Sequence, residues 1–90
     1  AEIVGQLLRR LGERGQVLTV THLPQVAAQC HQHLFVHKVR ESDTTRTAVA
    51  KLSKKERVEE VARMLGGIDL TKESLAHAKK MVITAKNLAA

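Results

Sequence analysis

Ninety residues with a net charge of +6 and a pI near 10.0 describe one small domain or part of one. Hydrophobic residues make up 43% of the chain, too many for a disordered segment, and no apolar run approaches the roughly 20 residues of a membrane span. Phe35 is the sole Phe, Tyr or Trp, which excludes base stacking on aromatic platforms, while the basic balance suits anionic partners or, equally, a plain solvated surface.

The first predicted element is a helix over 1–14. Ile3, Val4, Leu7, Leu8 and Leu11 share one face at helical spacing. Gly12 and Gly15 loosen its end. The opening Ala1-Glu2-Ile3-Val4 reads as mid-helix, as in an interior stretch of a longer chain. A strand is predicted next, over 16–21. Val17, Leu18 and Val20 make it apolar on both faces, as in a central strand of a parallel sheet. Helix, glycine turn and buried strand together are half of a βαβ crossover.

His22-Leu23-Pro24 turns the chain. Pro24 suits the first turn of a helix, and 25–29 is a short helix at most. Residues 34–41 alternate as a strand, with Leu34, Val36 and Lys38 on one face and Phe35, His37 and Val39 on the other. Ser42-Asp43-Thr44-Thr45 is a polar turn, and 46–52 completes a hairpin. Ser53-Lys54-Lys55-Glu56 is a capping box opening a helix to Leu65. Val58, Val61, Ala62 and Leu65 face inward, and Gly66-Gly67 ends the helix. Thr71 caps a last helix whose stripe is Leu75, Ala78, Val82, Ala85 and Leu88.

Few residues could carry chemistry. His22 follows a predicted strand end, the place where open α/β sheets bind ligands. An imidazole there can donate to a phosphate or position a water, or it can be structural. Cys30-His31-Gln32-His33 with His37 offers zinc-type ligands at a spacing that does not suit zinc. The plainer reading is a polar loop and an edge strand with exposed histidines, so no metal site is assigned. Cys30 is the single cysteine, which precludes an internal disulfide and fits a reducing cytosol. It lacks a positioned base and reads as a partly buried, inert thiol. Arg57, Arg63 and Lys72 could meet DNA or form the wet faces of two helices. No G-x-x-x-x-G-K-[ST] loop and no apolar strand ending in paired acids occurs, so this chain alone cannot cradle a nucleoside triphosphate.

Three ordered blocks carry a resemblance. Val17-Leu18-Thr19-Val20-Thr21-His22-Leu23-Pro24-Gln25-Val26-Ala27 resembles the switch-histidine segment of the RecN family, bacterial DNA-repair ATPases related to SMC proteins and ABC ATPases. Arg57-Val58-Glu59-Glu60-Val61-Ala62-Arg63-Met64-Leu65-Gly66-Gly67 resembles a helix near that family's C-terminus. Thr71-Lys72-Glu73-Ser74-Leu75-Ala76-His77-Ala78-Lys79 resembles its closing helix. Ala1-Glu2-Ile3-Val4-Gly5-Gln6-Leu7-Leu8 is similar to the helix after Walker B and the D-loop. Met81 to Ala90 is less family-like.

The resemblance implies an α/β fold: residues 1–90 as the C-terminal lobe of an ABC/SMC-like P-loop nucleotide-binding head, a single incomplete domain with a short β-hairpin and two C-terminal helices. It implies a parent ATPase of recombinational double-strand-break repair, cytoplasmic and nucleoid-associated, using ATP and Mg²⁺ and meeting DNA. His22 would be the catalytic switch histidine sensing the γ-phosphate, with Thr21 beside it at the nucleotide. Walker A, the Q-loop, the signature motif, the Walker B acids and the coiled-coil arms would all precede Ala1. By itself the chain would be non-catalytic, would bind no nucleotide tightly, and would self-associate through faces meant for the upstream part of the head. The alternative reading is a small basic DNA-binding module acting without ATP, supported by the +6 charge.

Overall fold

The computed structural model describes residues 1–66 and 70–88. The element order is α1 (Glu2–Arg14), α2 (Pro24–Ala27), β1 (Leu34–Glu41), β2 (Thr44–Lys51), α3 (Lys54–Gly66) and α4 (Lys72–Leu88). The fold is mixed α/β, with an antiparallel hairpin followed by two helices. None of the described helices is long and apolar enough to cross a membrane.

Short-range chemistry sets most of these boundaries. At the start of α3, the Ser53 N–H donates to Glu56 Oε1 at 2.9 Å and the Glu56 N–H donates to Ser53 Oγ at 3.2 Å. This reciprocal box satisfies two otherwise orphaned donors. At α4 the Ser74 N–H donates to Thr71 Oγ1 and the Thr71 N–H to Ser74 Oγ, both at 3.0 Å. Gly67, half of the predicted stop of α3, lies outside the described residues, as does the side chain of Leu88.

In the hairpin, β1 pairs antiparallel with β2 from Leu34↔Lys51 to Glu41↔Thr44. The Leu52 N–H donates to the His33 carbonyl at 2.9 Å, extending the ladder by one bond. The turn is tighter than the predicted four residues: Ser42 and Asp43 make it, with Ser42 at φ 48°. Thr44 and Thr45 join the strand, and Thr44 Oγ1 donates to the Glu41 carbonyl at 3.1 Å. Phe35, His37 and Val39 form the more buried face of β1.

The core is small and built from small side chains. Ala27, Ala28, Val61, Ala62 and Ala78 form its centre. Val58, Met64, Leu65, Leu75, Met81 and Val82 pack around it. Val61, Ala62 and Ala78 are completely buried. Alanines at the α3–α4 contact let the two helix backbones approach closely, as ridge-and-groove packing requires.

Two expectations fail, for one reason. Residues 16–21 do not form a strand, and Leu18 and Val20 are 83% and 95% exposed. A strand needs a neighbour to complete its hydrogen bonds, and among the described residues the sheet holds only β1 and β2. The apolar stripe of α1 is likewise open: Ile3, Val4, Leu7 and Leu11 are all more than half exposed. Helix α1 docks through Gly5 instead, its one buried residue. A Cβ at Gly5 would lie 2.9 Å from Gln29 Cγ and 3.0 Å from the Gln25 carbonyl oxygen, so only glycine allows α1 to lie this close to α2.

These open faces show in the global dimensions. The accessible surface is 7013 Å², against about 5,200 Å² expected for a self-contained folded monomer of this mass. The radius of gyration is 14.1 Å, against about 12 Å for a domain of this length.

Candidate functional site

His22 lies near the end of the irregular segment that links α1 to α2. Gly15 closes α1 in an extended conformation at φ −165°, and the chain then runs without regular structure to Leu23. Thr21 Oγ1 accepts the Leu23 N–H at 3.0 Å, a local turn that shapes the backbone around His22. Leu23 is itself extended, as the residue before a proline must be. Its carbonyl accepts the N–H groups of Val26 at 3.1 Å and Ala27 at 3.0 Å. Pro24 occupies the first helical position, where its missing N–H costs nothing. His22 is exposed, while Val26, Ala27, Ala28 and Gln29 immediately beyond are buried. The sequence therefore presents one free imidazole on a short stalk whose far end is anchored.

That anchor is an arginine clamp. Arg9 of α1 donates through Nη1 to the Gln29 carbonyl at 2.6 Å. Arg57 of α3 donates through Nη2 to the Ala28 carbonyl at 2.9 Å and also to the Cys30 carbonyl. The carbonyls of α2 itself accept the Ala28, Gln29 and Cys30 N–H groups, and the two guanidinium groups take the carbonyls that follow, those of Ala28, Gln29 and Cys30. Cations at a helix C-terminus also suit the direction of its peptide dipoles. Burial pushes the Arg57 pKa down from its ordinary value, and nearby Arg9 adds to that. The group stays charged in any case. Arg57 is thus committed to carbonyls and is not the free DNA-facing side chain allowed for above. Sequence reading misses it because the partners lie 27 and 29 residues away. Its signal was a single arginine on the inward half of α3, one position before Val58.

The other polar residues fall around this clamp. The Cys30 thiol donates to the Ala27 carbonyl at 2.9 Å. Burial raises its pKa, with the positive charge of Arg57 opposing, which disfavours the nucleophilic thiolate. His31 is exposed, and its ring covers Gly12 of α1. His33 and His37 are half-buried rather than exposed as expected, because their side of β1 turns inward. Burial, then the charge of Arg57, pushes the His33 pKa below its usual value, with Glu60 opposing. The His37 ring stacks on Phe35 at a centroid distance of 5.2 Å. Among the described residues no three His, Cys, Asp or Glu side chains gather as metal ligands.

Arg63 is engaged as well. Its Nε donates to Glu60 Oε2 at 3.0 Å, and its guanidinium lies 5.8 Å from the Phe35 ring centre. These two contacts hold Arg63 between β1 and the acidic face of α3. Lys72 is exposed in the first turn of α4. The candidate site therefore reduces to His22 and Thr21 on the linker, with Arg9, Arg57 and Gly5 fixing the helix that follows.

No family model matches the chain. Curated proteins match it closely. It is 51% identical over 85 residues to the DNA repair protein RecN of Vibrio cholerae, an alignment covering 94% of this chain and 15% of that protein. It is 54% identical over 82 residues to the DNA repair protein RecN of Xylella fastidiosa, covering 91% of this chain and 15% of that one. The DNA repair protein RecN of Bacillus subtilis is 38% identical over 82 residues, with 91% and 14% covered. The chain spans about 15% of the length of the curated relatives it matches. Half of its residues are identical to such proteins across nearly all of its length, so the chain belongs to the RecN family of DNA repair proteins.

Proposed function

We propose that this chain is the C-terminal lobe of a RecN-type ATPase head acting in DNA double-strand-break repair, and that His22 is its γ-phosphate-sensing switch histidine. The observation that carries the reading is the 51% identity to a RecN protein over 94% of the chain. The geometry around His22 supports it. A sensor must be free at its tip and fixed at its base, and His22 is exposed beside a helix held by Arg9 and Arg57. The surplus exposed surface supports the incomplete head, since open apolar faces on α1 and on residues 16–20 suit burial against further strands and helices. In isolation the same faces favour self-association.

In this reading ATP and Mg²⁺ are held by residues outside the chain, as the lack of a phosphate loop here requires. The chain's own residues do two things. His22 offers an imidazole N–H to the terminal phosphate, or its acceptor nitrogen to a proton of the attacking water, and the α2 clamp keeps that imidazole from drifting. Phosphoryl transfer depends on positioning and charge stabilisation, so one well-placed donor has leverage on the rate. The alternative of a basic DNA-binding module acting without ATP rests on net charge alone, and the family relationship favours the head.

The test uses the full-length protein carrying the change His22→Ala. Steady-state ATP turnover should fall by about 10²-fold or more, the usual loss for one positioned transition-state donor. Binding of ATP, read by a fluorescent nucleotide, should remain within a few-fold of wild type. Unchanged turnover would remove His22 from the mechanism.

A further inference from the structure

We propose that the distal half of the β1–β2 ribbon is a contact surface for the phosphate backbone of duplex DNA. The proposal rests on the reading of this family member as a protein that meets DNA, and it assigns that contact to a place.

Charge is not spread evenly along the chain. Residues 38–55 carry six basic side chains (Lys38, Arg40, Arg46, Lys51, Lys54 and Lys55) against Glu41 and Asp43. Net charge over this fifth of the sequence is therefore +4 of the total +6. The ribbon register then sorts these groups by face. Lys38 and Arg40 alternate with the inward-facing residues of β1 and are exposed. Their cross-strand partners are Thr47 and Thr45. All four side chains can donate a hydrogen bond to a phosphate oxygen, and none is acidic. Glu41 lies on the opposite face, where Arg46 Nε holds its carboxylate at 2.9 Å. The basic face is thereby shielded from the nearest acid by the fold itself.

Dimensions fit the ligand. Lys38 and Arg40, two residues apart on a strand, are separated by about 7 Å, and an eight-residue strand is about 27 Å long. A two-stranded ribbon of this kind can lie in a major groove about 12 Å wide. Toward the root the same face becomes apolar, with Leu34, Val36 and Val49 all exposed. That confines the DNA-facing part to the half nearest the turn. Lys51, at the root, and Lys54 and Lys55, in the first turn of α3, lie beyond this apolar stretch and outside the proposed contact. The tip, Ser42-Asp43, is polar and acidic and carries no aromatic residue, which disfavours insertion into a bilayer.

The experiment compares two double variants of the full-length protein. Lys38→Gln with Arg40→Gln removes two ribbon charges. Lys79→Gln with Lys80→Gln removes two exposed charges from α4. Affinity for a short duplex is measured between about 50 and 200 mM salt, where each phosphate contact contributes about 0.9 to the slope of log K against log salt. The ribbon variant should bind more weakly at low salt and lose about 1.8 from the slope, two contacts' worth. The α4 variant should keep the wild-type slope, and ATP turnover without DNA should be unchanged in both. A ribbon variant with the wild-type slope, or equal losses in both variants, would overturn the assignment while leaving DNA binding intact. A wild-type protein that does not bind duplex DNA at low salt would overturn both the assignment and the reading beneath it.

Discussion

Replacing Arg57 with Met isolates what the clamp contributes. The methionine stem keeps much of the apolar packing against α3's neighbours, while both hydrogen bonds from Nη2 to the Ala28 and Cys30 carbonyls are lost. A hydrogen bond involving a charged group contributes about 1.5–3 kcal/mol, and two such bonds set the upper bound. Against this stands the burial that pushes the Arg57 pKa down, with like charge on Arg9 adding to it, both relieved when the guanidinium is removed. The net loss is about 2 kcal/mol, felt first where α2 is held. At 1.4 kcal/mol per factor of ten, opening of α2 becomes roughly 30-fold more frequent. Amide hydrogen exchange reads this directly. The N–H groups of Ala27, Ala28 and Gln29, bonded to the Leu23, Pro24 and Val26 carbonyls, should lose protection by about that factor. Amides of the β1–β2 ladder serve as the internal control. Protection of Ala27 to Gln29 within about twofold of wild type would refute the clamp as the holder of this segment. Arg57→Lys should fall between the two, because an ammonium cannot reproduce the planar fork.

Gly5→Ala should destabilise the α1–α2 contact by about 1–3 kcal/mol, an overpacking cost that outweighs the gain of up to about 1 kcal/mol in helix propensity. A lowered thermal midpoint checks it, and an unchanged or raised midpoint would mean the helices can separate freely. Ser53→Ala should cost about 1 kcal/mol by removing half of the capping box of α3, seen in a urea titration. The box also predicts a pH dependence. Hydrogen bonds from the Ser53 backbone and hydroxyl hold the Glu56 pKa below its ordinary 4.5. The folded value is therefore below the unfolded one, so the box is fully stabilising above 4.5 and is lost as pH falls through the depressed value. Exchange rates at the start of α3 should rise over that acid range in wild type and stay flatter in Glu56→Gln.

What could be read in the sequence follows the range of the interactions. The capping residues of α3 and α4 act over three positions, and the alternation of β1 needs only its own strand, so both are visible from residue type and spacing. The end of the hairpin turn was missed by two residues because threonines suit turns and strands equally, and the left-handed Ser42 decided it. The segment 16–21 misled because its apolar pattern suits burial between strands, and among the described residues the sheet holds only β1 and β2. The clamp was legible only as an arginine beside the inward Val58 of α3, because its partners lie 27 and 29 residues away and those of Arg9 20 and 21 away. Gly5 did leave a signal, since a glycine inside a helix needs a packing reason. The role proposed for His22 comes only from the family blocks, as one histidine in a linker says nothing alone.

The alanine-built contact between α3 and α4 has a thermal consequence. Alanine loses no rotamer freedom when buried, so Ala62, Ala78 and Ala85 join the interior with little entropic penalty. They also remove little apolar area from water. The heat capacity of unfolding scales with that area, at about 12–15 cal/mol/K per residue for ordinary domains. A core this lean, within a surface this open, should place this chain below that range. Its stability curve should then be broad and flat, with a gently falling low-temperature limb and heat denaturation spread over a wide interval.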